Sequence, residues 1–291
     1  EKYHAGAYVS KGEAALGSRM RVATFPGASA GQNRNFFSVL ATEDNTKITI
    51  SDIPAGTDLV NYTGTLPIEV TLRKHETYFL GTITSNSDSV TEQEALIGAL
   101  IESSDSTGGS DPKPVVVATG SIGGSIRNWN QNQDYGVDQI TGSNIIGSEY
   151  IFIEGAGVSD VETVFLIADV DGTEIYIGNS TTPDRVLAAG QHWILDHSYF
   201  SSNGNLYVRT QGNSHKLFAY QGVGYNTGGN AGRANQGLVF VPPLSCSAKG
   251  NIDNIPYIEY IGSKLFAGGT LSIVTEVGAD LKIYKNDLFP L

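Results

Sequence analysis

Two groups of residues have types and spacing suited to chemistry. The first is acidic. Asp169-Val170-Asp171-Gly172-Thr173-Glu174 presents alternate carboxylates around a glycine, as loops that hold hard cations through oxygen ligands do. Calcium is the cofactor this string suggests, with Asp169, Asp171 and Glu174 as ligands. The later acidic positions of an EF-hand are missing, and the string reads as well as an Asp-Gly hairpin turn, like Glu43-Asp44-Asn45. The second group is aromatic and amide. Trp129, Asn130, Gln131, Asp134 and Tyr135 fall in one loop, and Tyr225, Asn226 and Asn230 in another. Aromatic rings stack on sugar faces while amides and carboxylates bind sugar hydroxyls, so these are candidate carbohydrate-binding residues. The competing reading makes Trp129 a plug at a domain end or a packing residue between units.

No His-Glu-x-x-His or Walker A string occurs. His192 and His197 are five apart, the wrong spacing for a helical zinc pair. Gly222-Val223-Gly224 lacks the strand-to-helix context of a dinucleotide loop. With 30 acidic residues some carboxylates always lie close, so a glycosidase pair gains no support. The expectation is a non-enzymatic protein.

Net charge is −12, from 18 basic and 30 acidic residues. No basic stripe exists to neutralise phosphates, which excludes nucleic acid, and the acidity weighs against an anionic membrane surface. No apolar run is long enough to insert into a bilayer as a helix. Charged residues are 16%, below the roughly 25% usual for soluble domains. Polarity comes from Ser, Thr, Asn and 35 Gly, the profile of a turn-rich, extracellular all-β protein. One cysteine, Cys246, precludes a disulfide framework within the chain and reads as a small buried hydrophobe. The chain opens at Glu1 without a signal peptide, as a mature protein or an excerpt would.

The elements that must position these residues are strands. Apolar and polar residues alternate at residues 37–41, 47–50, 68–72 and 174–177. Val115 to Ala118 and Lys216 to Tyr220 read as strands buried on both faces. Glu92 to Glu102 is the best helix candidate, with a strand pair fitting nearly as well. The sequence also repeats. Aligning Ala41 with Ala168 brings Asp44 onto Asp171, Thr46 onto Thr173, Leu72 onto Leu187 and Tyr78 onto Trp193. Lys113 to Gly120 then matches His215 to Gly222, and a partial third copy begins at Gly268. The spacing predicts tandem β-sandwiches, Ig-like or jelly-roll-like, with long Gly/Asn-rich loops. The first spans residues 1–147, the second 148–245, and 246–291 starts an incomplete third.

The runs FFSVLATEDNTKITI, KPVVVATGS and DYGVDQITGSNIIGSEYI, with Leu72 to Tyr78 between the first two, resemble the N-terminal domain family named after the IgG-Fc-binding protein. The family's elements fall on Ala41 to Ile50, Lys113 to Gly120, Asp138-Gln139 and Gly147 to Ile151. Gln236 to Gly262 is similar to the version found in large Bacteroidetes surface proteins, including type 9-secreted gliding-motility adhesins. The cysteines of animal members are absent. The resemblance implies a β-rich, non-enzymatic, extracellular module of a long cell-surface protein. Its expected partners are a surface polysaccharide or other extracellular ligand and neighbouring repeats of the same chain. Ser89 in Asp88-Ser89-Val90 and Ser106 in Asp105-Ser106-Thr107 resemble Bacteroidetes O-glycosylation sites.

Overall fold

The computed structural model describes residues 8, 10–28, 34–60, 62–82, 94–109, 111–126, 134–155, 161–224 and 236–244. Beyond these it describes short pieces at 260–261, 264–265, 273–275, 277–285 and 289–290. The chain forms two compact units, Glu1–Ala248 and Lys249–Leu291.

Strands dominate the first unit. Its first half holds β1 (Arg19–Arg21), β2 (Gly27–Ala28), β3 (Arg34–Ala41), β4 (Thr46–Ser51), β5 (Ile68–Leu72), β6 (Thr77–Gly81), β7 (Leu100–Asp105), β8 (Val115–Ser125) and β9 (Asp134–Ile140). The second half holds β10 (Glu149–Ile153), β11 (Thr163–Ala168), β12 (Thr173–Ile177), β13 (Arg185–Leu187), β14 (His192–Leu195), β15 (Asn205–Thr210), β16 (Leu217–Val223) and β17 (Gly237–Phe240). The second unit carries two short pairs, β18 (Tyr260–Ile261) with β19 (Lys264–Leu265) and β20 (Tyr284–Lys285) with β21 (Phe289–Pro290). The described helices are 3-10 turns only, and none is long and apolar enough to cross a membrane.

Each half is a sandwich of two antiparallel sheets. In the first, β1-β7-β4-β5 packs on a sheet in which β8 lies between β3 and β9, with β6 beyond β3. In the second, β10-β15-β12-β13 packs on β14-β11-β16-β17. The strand order of the first half thus recurs in the second. Alternation explains the first core: β4 buries Thr46, Ile48 and Ile50 while Lys47 and Thr49 stay half-exposed. They meet Phe37, Val39, Val115 and Val117 from the facing sheet.

The β14-β11-β16-β17 sheet breaks the alternation. All six residues of β11 are buried, because the sheet is covered on both sides. Val164, Leu166 and Ala168 enter the core of the second sandwich. Phe165, Ile167, Phe218 and Tyr220 instead join the core of the first sandwich, with Val22, Ala23, Phe25 and Leu96. Each aromatic buried there contributes about 1.5–3 kcal/mol. No linker separates the halves energetically; they share apolar surface.

Two local expectations change. Residues 94–102 hold no helix: residues 95–98 are turn and Leu100 begins β7. Gly98 has φ +88, and a Cβ there would lie 1.9 Å from the Gly190 carbonyl oxygen. The tight approach of the two sandwiches selects a left-handed glycine and overrides helix propensity. Strand β8 is not buried on both faces at its start, since Val116 and Ala118 are half-buried. Leu217 to Tyr220 is buried on both.

Candidate functional site

The acidic hairpin turns are built alike. Asn45 and Gly172, both in left-handed backbone (φ 55 and 67), let the chain reverse between β3 and β4 and between β11 and β12. Thr46 Oγ1 donates to the Glu43 carbonyl and Thr173 Oγ1 to the Val170 carbonyl, each at 2.8 Å. Asp44 Oδ1 accepts the Lys74 N–H at 3.0 Å, and Asp171 Oδ1 accepts the Ala189 N–H at 2.9 Å. His75 N–H bonds the Ala41 carbonyl at 2.8 Å, as Gly190 N–H bonds that of Ala168 at 2.9 Å.

The three proposed calcium ligands therefore take separate partners. Asp171 pins its neighbouring turn. Glu174 Oε2 accepts from the Tyr176 hydroxyl at 2.5 Å. Asp169 turns toward the first sandwich, where Arg19 Nε and Nη2 reach its Oδ1 at 3.2 and 2.9 Å. Among the described residues no group of three His, Cys, Asp or Glu side chains is placed to hold a metal ion.

Asp169 is one half of a clamp between the sandwiches. Arg21 is 1% exposed. Its Nη1 donates to Asp52 Oδ2 at 2.8 Å and to the Gly98 carbonyl at 2.7 Å, and its Nη2 to the Asp169 carbonyl at 3.1 Å. Among the described residues its Nε has no hydrogen-bond partner, Asp169 Oδ1 lying at 3.9 Å. His192 Nε2 meets Glu94 Oε2 at 2.9 Å across the same junction.

A second polar seam joins β9 to β17. Asp138, nearly buried, pairs with the Lys11 ammonium and accepts the Phe240 N–H at 3.0 Å. Beside it lies a crevice of about 10 Å³, room for one water molecule, between Thr24, Phe25, Ser121, Asp138 and Tyr220. Burial, then the Asp138 charge, holds the Tyr220 phenol well above its usual titration range. Burial does the same for Tyr150, whose hydroxyl donates to the Leu217 carbonyl and accepts the Gly147 N–H at 2.9 Å. In both phenols burial favours the neutral form.

Of the carbohydrate-binding candidates, Trp129, Asn130, Gln131, Tyr225 and Asn226 lie outside the described residues, as do Ser89 and Cys246. Asp134 begins β9, paired with Gly124, and Tyr135 beside it is 37% exposed. Ser106 is exposed in a turn, its N–H bonded to the Asn45 carbonyl at 2.9 Å. Trp193 is half-buried, under the Arg185 guanidinium at 5.4 Å and edge-on to Tyr199 at 5.6 Å.

A further cluster lies on the second sandwich. On the outward face of β10-β15-β12-β13, Arg209 pairs across strands with Glu149 on one side and Tyr176 on the other. Its guanidinium carbon lies 4.2 Å from the Tyr176 ring centre and its Nη2 donates to the Ser180 carbonyl at 2.7 Å. Tyr207 lies one row along, opposite Ile151. Partial burial and then the Glu149 carboxylate raise the Tyr207 phenol; its bond to Glu174 raises that of Tyr176. The same-face spacing Tyr207-x-Arg209 beside Glu174-x-Tyr176 was the available signal. Rings, a guanidinium and carboxylates on one flat face suit a polyhydroxylated ligand.

No curated protein and no solved structure matches the chain. The strand-turn, the Lys113 to Gly120 strand and the Asp138-Gln139 segment are all built into one pair of sandwiches, and the family model of the IgGFc binding protein matches residues 6–277. The chain belongs to the IgGFc-binding protein family.

Proposed function

We propose that the chain is a non-catalytic module of an extracellular cell-surface adhesin or fibre, serving attachment or gliding motility. The observation that carries this reading is the junction. Two sandwiches share a core and an Arg–Asp clamp in place of a flexible spacer. Loops and sheet faces are thereby held at fixed offsets, as an adhesive stalk requires. Recurrence of the strand order and of the hairpin bonds supports descent from one duplicated unit, with 246–291 the start of a third. Type 9 secretion and a Bacteroidetes source belong to the same proposal and rest on resemblance alone. An antibody to the chain should label intact, unpermeabilised cells, and beads carrying the chain should resist shear on polysaccharide-coated glass. Labelling only after permeabilisation, or release at the rate of bare beads, sinks the reading.

A second reading is a carbohydrate-binding module. It rests on the Trp129 loop and on the row Glu149, Arg209 and Tyr176. A glycan array separates the two sites: binding lost in Trp129→Ala assigns the loop, and binding lost in Arg209→Ala assigns the sheet face. No binding to any glycan leaves the stalk.

A further inference from the structure

The outward face of β14-β11-β16-β17 is covered by the first sandwich, and this sets an expectation for the corresponding face elsewhere. Register places Leu40, Val116 and Phe79 of the first sandwich where Ile167, Phe218 and Ile194 stand in the second. The latter three pack in the shared core. Their counterparts face outward from the first sandwich and are not fully buried. Phe79 is 47% exposed and Ile122, on the same face, 41%. Phe36 stacks on Phe79 at 5.4 Å and lies so close over Gly120 that a Cβ there would sit 2.6 Å from its ring. Exposed apolar side chains thus stand on β6 and β8 of one face, with Phe36 of β3 stacked between them, and apolar exposure grouped in this way marks contact sites.

The other half of the interface recurs as well. In the first sandwich Arg21 and Ala23 press on the second. Pairing of β10 with β15 places Ile151 and Ile153 at the corresponding positions of the second sandwich, and both are half-buried. An apolar rim therefore matches an apolar face.

We propose that the outward face of the first sandwich receives the β10 rim of a second copy of this chain, repeating between molecules the junction already present within one. Face and rim differ, so the contact is head-to-tail and each added copy leaves a free face or rim for the next; copies add beyond a dimer. Ser38 stands where the covered sheet has Phe165, and Ala118 where it has Tyr220. The smaller side chains bury less surface, which makes this association reversible where the internal junction is permanent.

Sedimentation velocity of the whole chain from about 10 µM to 1 mM reads the outcome. The sedimentation coefficient should climb with concentration without levelling at a dimer. Phe79→Glu on the face and Ile153→Glu on the rim should each leave a monomer, and an equal mixture of the two should form dimers that grow no further. Should Phe79→Glu not fold, Ile122→Glu replaces it on the same face. A wild-type chain that stays monomeric at the highest concentration overturns the proposal. So does a mixture that stays monomeric, and so does an Ile153→Glu variant that still dimerises by itself, which is what a symmetric face-to-face contact would give. Bead attachment is a separate measurement, so loss of self-association and loss of adhesion are told apart.

Discussion

Asp44 and Asp171 hold the same place in two hairpins, each carboxylate pinning the backbone N–H of the following turn, Lys74 at 3.0 Å and Ala189 at 2.9 Å. Both bonds lie at the surface, where a charge-assisted hydrogen bond contributes about 1–2 kcal/mol. Asp44→Ala and Asp171→Ala should each lower the free energy of unfolding in urea by about 1 kcal/mol, and the Asn variants by less. An unchanged midpoint for Asp171→Ala would remove the pin from this account.

Commitment of the acidic turn to backbone and arginine partners predicts indifference to divalent cations. Because Asp169, Asp171 and Glu174 take separate partners, chelation should leave the melting temperature unchanged. Added calcium should not raise it, since only a ligand that binds the native state stabilises it. A rise that saturates with calcium would place a site on this turn after all.

The clamp between sandwiches should be fragile to small changes. Arg21→Met keeps bulk but removes the buried guanidinium and leaves the Gly98 carbonyl without that donor. It should cost about 1–3 kcal/mol, as leaving a buried acceptor without its donor does. Gly98→Ala meets the Gly190 carbonyl and a φ of +88 at once, so a loss of about 3 kcal/mol or more is expected. Urea titrations check both, and a change below about 0.5 kcal/mol for either would show that the junction tolerates separation.

Alkaline pH should unfold the protein earlier than its 14 tyrosines alone suggest. The Tyr150 and Tyr220 phenols are raised above the ordinary value of 10.0, chiefly by burial. A raised phenol gives stability that is fully present below pH 10 and is lost as pH rises toward the folded-state value, because the unfolded chain ionises first. Melting temperature should fall above pH 10, and Tyr150→Phe should flatten that fall. Ultraviolet phenolate absorbance in native protein should show a tyrosine fraction that ionises only with unfolding.

The strand pattern was legible because alternation is local: Lys47 to Ile50 and Glu174 to Ile177 announce which face is buried. Ala41 and Ala168, aligned in the sequence, each end a strand that pairs with the strand beginning at Val115 or Leu217. What local pattern missed was the second cover on β11, since continuous burial there depends on residues more than a hundred positions earlier, such as Val22 and Phe25. Gly98 misled for the same reason, its left-handed backbone being dictated by Gly190 across the junction. The acidic string showed carboxylates in sequence but not Arg19 and Arg21, which claim Asp169 from the far sandwich. Tyr176 and Arg209 come together only through strand pairing.

A sheet wetted on neither side has a consequence for biogenesis. Whichever half of the chain folds first must keep a greasy flank uncovered until the other arrives, with Phe165 and Phe218 or Val22 and Phe25 waiting in water. Cutting the gene between the halves would leave each product with that flank permanently bare, and the pair is best regarded as one indivisible unit of inheritance.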